Sequence, residues 1–342
     1  MISTSSILLF VFVNLTLAAQ PNYLPTFTSS KKYFQQSNPL IPEFAVDSSN
    51  FGLNKQYSWD DVVSSLNSNQ KLFFLQRHGE GWHNVAQQDL HIGPIEWQCY
   101  WSIRDGKDGI EWYDAELTPK GHQQINSLVS KIKNTSSFPH PDKFYVSPLR
   151  RTLETWQETW LNLPHKTATI KEFARELYGI DTESERHNRT YIENKFPGFD
   201  FEAGFQHDDV LWSPVYREGL ENIYYRAASL LTDIFEDAKD DKVISIVLHG
   251  GIINAILAVS QHRLFNVPTG GVIPVVIQIQ DNHKTYPVDH AFTDFFLWCP
   301  LSQPNITTRV DDGATIVTTV SASYTAPSGS ALESVTAYKF AT

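Results

Sequence analysis

The sequence of 342 residues has few cysteines, few basic residues and few long apolar runs. Its two cysteines, Cys99 and Cys299, form at most one disulfide, which excludes a disulfide-rich scaffold and leaves their pairing open. Lys and Arg number 27 against 38 Asp and Glu, a formal charge of −11. Binding to nucleic acid is driven by neutralising phosphates, so we expect no nucleic-acid partner. A hydrophobic content of 41% supports a folded core and excludes a disordered chain.

Residues 1–19 have the composition of a secretory signal peptide. The apolar run ILLFVFVNLTL at residues 7–17 has the length of a signal-peptide core, and Ala18 and Ala19 are suited to cleavage. The run is too short for an ordinary membrane-spanning helix. It has no Lys or Arg before it, so an anchor or a buried strand remains an alternative. We expect a secreted or secretory-pathway protein (extracellular, cell wall or vacuole) with no stable membrane insertion after cleavage.

Three glycosylation sequons agree with that route. They begin at Asn134, Asn188 and Asn305. A sequon alone is weak evidence because the pattern also occurs by chance. Together with the apolar N-terminal run, the sequons predict a glycoprotein.

Short apolar runs alternate with helical periodicity along the chain. Strands are predicted at residues 71–76, 144–146 and 243–248, and helices at 118–133, 151–161, 217–239 and 252–259. This alternation predicts an α/β fold with three α/β/α layers and a mainly parallel sheet. We expect a single domain over residues 20–342, with an extended lead-in at 20–57, a cap insertion at about 160–216 and a C-terminal β-like extension at about 306–342.

Charged and polar residues follow the three predicted strands. They are Arg77-His78-Gly79-Glu80 with His83 and Asn84, then Ser147-Pro148-Leu149-Arg150-Arg151-Thr152, then His249-Gly250-Gly251. Ligands of open α/β sheets bind outside the carboxyl ends of the strands, so these segments can converge. Arginine suits phosphate oxygens, and a neutral imidazole can attack phosphorus to give a covalent intermediate. A leaving alkoxide would also need a carboxylic acid as proton donor.

A metal site is the alternative for the first of these segments. His78 and His83 are five residues apart, whereas a zinc-binding helix places two histidines four apart. Gly79 and Gly81 also disfavour a helix there. We therefore expect no metal ligand in this segment.

These motifs together resemble the histidine phosphatase superfamily, in the branch typified by cofactor-dependent phosphoglycerate mutase. The resemblance covers about residues 70–280. Residues 114–121, DAELTPKG, are similar to a further block of that family. The segment RELYGID at 175–181, with Arg186 after it, is similar to fungal and plant mutase-like phosphatases.

The resemblance implies a role for six residues. They are His78 as nucleophile, Arg77 and Arg151 as clamps on the phosphoryl oxygens, His249 as second pocket histidine, Asn84 as a further donor, and Glu176 as general acid. Glu172 is the alternative acid, because the mutases space theirs four residues before the glycine and Glu176 lies three before Gly179. Arg150 should point away from the site, since adjacent helical side chains diverge.

The resulting hypothesis is a phosphomonoesterase that releases orthophosphate from a small-molecule phosphate ester through a phosphohistidine. It implies no metal and no cofactor. Two alternatives remain: a mutase-type phosphotransferase, or a catalytically silent secreted binding protein on the same fold. The tryptophan-rich stretch from Trp97 to Trp112 is expected to pack as core or as a covering loop, with the site entrance as the alternative.

Overall fold

The computed structural model describes residues 22–88, 97–161, 167–214 and 216–287, together with strands Thr293–Asp294, Asn305–Asp311 and Thr315–Ser321. The predicted signal peptide at residues 1–19 lies outside the described residues. So does Cys299, and with it the pairing of Cys99.

A seven-stranded sheet forms the centre of the molecule. In chain order its strands are β1 (Tyr23–Ser29), β2 (Gln70–Arg77), β3 (Lys143–Val146), β4 (Thr169–Ile170), β5 (Asp200–Phe201), β6 (Val243–Leu248) and β7 (Val272–Thr285). Their order across the sheet is β1-β7-β2-β6-β3-β4-β5. The five strands from β2 to β5 in this order run parallel, whereas β7 is antiparallel to both β2 and β1. The predicted α/β class with a mainly parallel sheet is confirmed.

Helices cover both faces of this sheet. They are α1 (Trp59–Ser65), α2 (Trp82–Gln88), α3 (Pro119–Asn134), α4 (Arg150–Trp160), α5 (Arg189–Lys195), α6 (Leu220–Asp237) and α7 (Gly250–Val259). Side chains alternate between faces along each strand. On β2, Phe73 and Leu75 pack with α6 and α7, whereas Leu72 and Phe74 pack with α1, α3 and α4. Two apolar cores therefore enclose the sheet in three layers.

Two predicted elements differ from those observed. The helix predicted over 217–239 begins only at Leu220, because Arg217 pairs in a short strand with Thr293 and Glu218 is buried against Arg226. The predicted lead-in at 20–57 contributes strand β1 to the sheet edge. The sequence signal for β1 was weak, because YLPTFTS contains a proline.

The segment predicted as a cap, residues 160–216, is partly built into the sheet. It supplies β4 and β5, and between them two short 3₁₀ turns, Glu172–Ala174 and Thr182–Ser184. In the predicted C-terminal extension, Asn305–Asp311 and Thr315–Ser321 pair as an antiparallel hairpin.

The tryptophan-rich stretch makes a small core of its own. Trp97 and Trp112 are buried with Ala86 and Ala115. This agrees with the packing role expected for these aromatic residues. In the described part of the chain, no helix combines the length and apolar character needed to cross a membrane.

Candidate active site

Three neighbouring parallel strands place the predicted segments side by side. The His78 N–H donates to the Leu248 carbonyl at 3.1 Å, which joins the residue after β2 to the last residue of β6. The Ser147 N–H donates to the Val247 carbonyl at 3.1 Å, which brings the end of β3 to the other side of β6. His78, Ser147 and His249 thus lie together at the carboxyl ends of three neighbouring parallel strands.

His78 is held in the form that a nucleophile needs. Its Nδ1 lies 2.6 Å from the Gly79 carbonyl, which can only accept, so Nδ1 carries the proton and Nε2 keeps its lone pair. Burial, reinforced by the charges of Arg151 and Arg77, lowers the pKa of His78 well below its ordinary value. The ring is therefore a neutral imidazole at neutral pH.

His249 lies against His78, with 5.0 Å between the ring centroids. It is fully buried, and its Nε2 is 2.8 Å from the Ser147 hydroxyl. A hydroxyl donating to Nε2 leaves the proton of His249 on Nδ1, which has no hydrogen-bond partner among the described residues. Burial, together with Arg151, lowers the pKa of His249 well below its ordinary value.

His83 is a third histidine of this cluster. Its ring centroid is 5.4 Å from that of His78, and burial with the charge of Arg151 lowers its pKa well below the usual range. A Cβ at Gly81 would lie 2.8 Å from His83 Nδ1, so the glycine makes room for the ring. The described residues contain no group of three or more His, Cys, Asp or Glu that could hold a metal. The sequence alone predicts no role for His83 beyond the metal site that its spacing disfavours.

Arg151 and Arg77 border the three histidines. Arg151 is fully buried and donates to the Glu183 carbonyl and to Glu183 Oε2, both at 2.7 Å. Arg77 donates to the Val267 carbonyl at 3.0 Å, and burial lowers its pKa while the Glu176 carboxylate opposes that effect. These contacts use only some of the N–H groups of each guanidinium.

Within the described residues, the cluster contains four buried nitrogen atoms that lack a protein hydrogen-bond partner. They are Arg77 Nε, Arg151 Nε, His83 Nδ1 and His249 Nδ1. Buried polar atoms in folded proteins are nearly always hydrogen-bonded. Guanidinium N–H groups beside the Nδ1–H of His249 suit an oxyanion with several acceptor oxygens, such as a phosphoryl group.

Asn84 fastens the loop that carries His78. Its Oδ1 accepts the Gly81 N–H at 3.0 Å, and its own N–H donates to the Gly81 carbonyl at 2.9 Å. The predicted role of Asn84 toward phosphate stays a prediction.

Glu176 contacts the first turn of helix α7. Its Oε2 accepts the Gly251 N–H and its Oε1 accepts the Leu177 N–H, both at 3.0 Å. Its charge acts on Arg77 and on Glu183. The carboxyl group is thus fixed beside the arginines.

The alternative acid, Glu172, is bound in a separate network. It accepts hydrogen bonds from the buried guanidinium groups of Arg175 at 2.8 Å and Arg186 at 3.0 Å. Arg175 is also paired with Asp209. Both oxygens of Glu172 are therefore engaged in holding the segment that carries Glu176.

The remaining loop contacts are structural. Glu80 binds Thr118 at 2.8 Å and Lys120 at 2.7 Å. A Cβ at Gly121 would lie 2.3 Å from the Glu80 carbonyl, so only glycine allows the start of α3 to approach the loop so closely. The family-like block at 114–121 therefore supports the His78 loop from outside.

Arg150 points away from the phosphoryl cluster, as expected. It pairs with Glu116 and lines a cavity of about 240 Å³ with Trp82, Ile110 and Tyr113. Among the described residues, neither His78 nor Arg151 lines this cavity. It is a separate hollow beside the same loop and helix.

Comparisons with known proteins give the relatives of this chain. The histidine phosphatase superfamily (branch 1) matches residues 98–281. "Phosphomutase-like protein 3" of Candida albicans is 56% identical over 293 residues, covering 85% of this chain and 92% of the relative. A "Probable phosphoglycerate mutase" of Arthroderma benhamiae is 37% identical, covering 75% of this chain and 85% of the relative. The solved phosphoglycerate mutase of Bacillus anthracis is 18% identical with a TM-score of 0.40, covering 67% of this chain and 96% of that structure.

Proposed function

Because the chain belongs to branch 1 of the histidine phosphatase superfamily, we propose that it is a phosphomonoesterase acting through a phosphohistidine at His78. It would release orthophosphate from a small-molecule phosphate ester. The observation that carries this proposal is the neutral His78 in a cluster with four buried nitrogens that lack a partner among the described residues. Hydrolysis, as distinct from transfer to a second alcohol, is the specific part of the proposal.

In the first step, Nε2 of His78 attacks phosphorus opposite the ester oxygen. The P–N bond forms as the P–O bond to the alcohol breaks, and Glu176 in its acid form gives the leaving oxygen a proton. Arg77, Arg151 and His249 donate to the oxygens of the transferring group. Fixed donors of this kind stabilise charge in the transition state without reorganising.

In the second step, water attacks the phosphohistidine. The Glu176 carboxylate takes a proton from that water, the P–N bond breaks, and orthophosphate leaves a neutral His78. The Nδ1–Gly79 hydrogen bond keeps the ring in one tautomer through both steps. The same lone pair on Nε2 is thereby restored for the next cycle.

The test is orthophosphate release from p-nitrophenyl phosphate, in the presence of a metal chelator, by wild type and His78→Ala. We expect the variant to lose at least about 1,000-fold in kcat, as is usual when a nucleophile is removed. His122→Ala is the matched control, because His122 is half exposed and pairs with Glu158 outside the site. Undiminished turnover by His78→Ala would refute the mechanism.

A second assay separates the remaining functions. Phosphoryl transfer between positions of a phosphoglycerate without orthophosphate release would identify a mutase instead. Binding of phosphate analogues by folded protein, with neither reaction, would identify a binding protein. An acid-labile phosphoryl group on wild type, and its loss in His78→Ala, would support the covalent intermediate.

We also propose that the protein acts in the secretory pathway or outside the cell. The apolar run at residues 7–17 supports this, and Asn134 and Asn188 have exposed side chains. Asn188 caps helix α5 through Oδ1, which leaves its Nδ2 for a glycan. Expression in a secreting host, followed by glycosidase treatment, should give secreted protein of reduced mass. Retention without any mass change would contradict the proposal.

A further inference from the structure

Glu183, a residue from outside the three strand-end segments, accepts hydrogen bonds from both Nη1 and Nη2 of Arg151. Glu183 lies in the turn Thr182–Ser184 and approaches the guanidinium with its backbone carbonyl and with Oε2, each at 2.7 Å. The Arg151 side chain is 1% exposed and that of Glu183 is 10% exposed. The two groups therefore interact with little screening by water.

The charges that act on Glu183 are mixed in sign. Arg151 on α4 and Arg217 on its short strand favour the ionised carboxylate, whereas Asp181 and Glu176 oppose it. Burial is the strongest influence, and it raises the pKa of Glu183 to about 7. Glu183 thus changes charge near neutral pH.

We propose that Glu183 is a positioning residue for Arg151, and that its loss of a proton weakens the binding of a phosphoryl group. The proposal rests on the proposed function, because it names the residue that regulates the same phosphate site. The backbone carbonyl of Glu183 orients Arg151 in both protonation states. The protonated carboxyl still accepts from Nη2 but offsets none of the positive charge of Arg151.

Ionised Glu183 acts differently. Its negative charge directly faces the guanidinium that also has to bind a dianion. The oxyanion then meets an Arg151 whose charge is offset by the carboxylate of Glu183. The site should consequently hold a dianion more tightly below pH 7 than above it.

Sulfate binding, measured by calorimetry at pH 5.5 and pH 8, tests this directly. Sulfate does not titrate in this range, and binding requires no turnover. We expect Glu183→Gln to match wild type within about two-fold at pH 5.5 and to bind about 10-fold more tightly than wild type at pH 8. A ten-fold change corresponds to about 1.4 kcal/mol.

Two further variants isolate the role of charge. Glu183→Ala removes the acceptor for Nη2 together with the charge, so it should bind sulfate less tightly than Glu183→Gln at both pH values. Glu154→Gln is the matched control. Burial also raises the pKa of Glu154 to about 7, and Glu154 lies on the same helix as Arg151, but its contact is the Leu117 N–H. Its sulfate affinity should follow that of wild type at both pH values.

Proton uptake by wild type gives a measurement that needs no variant. Sulfate binding at pH 7, compared in two buffers of different ionisation enthalpy, should take up part of a proton. The inference is overturned if sulfate fails to bind, if no proton is taken up, or if Glu183→Gln behaves as Glu183→Ala. Sulfate binding with the expected pH dependence, but without orthophosphate release from an ester, would instead refute the proposed function and leave the role of Glu183 standing.

Discussion

The Gly251 N–H donates to Oε2 of Glu176 at 3.0 Å, so the helix that follows His249 also holds the proposed acid. The contact depends on the missing side chain of Gly251. A Cβ there would lie 2.1 Å from Glu176 Oε1. The first turn of α7 thus holds the carboxyl group of Glu176 directly after the second histidine, His249.

Gly251→Ala should displace the acid and lower kcat for an alkyl phosphate by about 100-fold, the usual contribution of a positioned general acid. Gly250→Ala is the matched control, because its Cβ would lie 3.5 Å from the Arg77 guanidinium carbon, an ordinary contact. Steady-state kinetics of the two variants make the comparison. Equal activities would show that this contact does not matter for the reaction.

Glu176 and Glu172 should respond differently to substitution by glutamine. Glu176→Gln should lower kcat for alkyl phosphates by at least about 100-fold, and less for p-nitrophenyl phosphate, whose leaving group needs no proton. Glu172→Gln should mainly destabilise the fold, by about 3 kcal/mol, since it leaves a buried arginine short of its counter-charge. Kinetics with both substrates and denaturant unfolding separate these effects. A reversed pattern would assign the acid to Glu172.

Ser147→Ala should lower kcat by about 10-fold with little change in stability. A Ser147 hydroxyl that donates to Nε2 of His249 keeps the ring proton on Nδ1, and without it the proton can move off Nδ1. Ser245→Ala is the control, because Ser245 is equally buried on β6 and its hydroxyl has no partner among the described residues. Activity retained in Ser147→Ala would argue against the assigned tautomer.

Stability should fall as pH rises from 6.5 to 8.5. Burial, with Asp209 and Asp105 nearby, raises the pKa of Glu185 to about 8, and burial raises those of Glu154, Glu183 and Glu202 to about 7. At pH 6.5 these carboxyls bind protons that the unfolded chain has lost, so raising the pH removes the difference. Thermal unfolding followed by circular dichroism should show a falling melting temperature.

The buried histidines do not reverse this fall of stability with rising pH. Their pKa values are lowered, and unfolded histidines bind protons mainly below pH 6.5, so their effect lies at lower pH. Glu185→Gln should flatten the decline above pH 7. A melting temperature that is constant or rises over this range would contradict the assignment.

The parts of the fold set by local chemistry were predictable from the sequence. Strand β6 is predicted with its observed limits because VISIVL is a nearly continuous apolar run, and all six residues are buried in the structure. Helix α3 begins as expected, since Thr118 accepts the Gly121 N–H as its cap. The convergence of the segments at 78, 147 and 249 followed from the rule for parallel strands.

What depends on tertiary contact could not be predicted in the same way. Strand β7 is buried only in its first half and, apart from Ile279, is polar beyond Ile277, so it lacks the pattern of a central strand. Glu183 reaches Arg151 only because the turn at 182–184 packs against α4, and nothing beside it in the sequence indicates this. His83 does carry a signal, since it stands between Gly81 and Asn84, at the start of the helix that follows the nucleophile.

The position of β2 between β6 and β7 has a consequence during synthesis. Both of its hydrogen-bonding neighbours lie late in the chain, the second beginning only at Val272. At about 5–20 residues per second, translation of the roughly 200 intervening residues takes about 10–40 s. Throughout that interval the segment KLFFLQ is an unpaired apolar strand, and such strands are prone to aggregate. The nascent chain should therefore depend on chaperones until most of it has been translated.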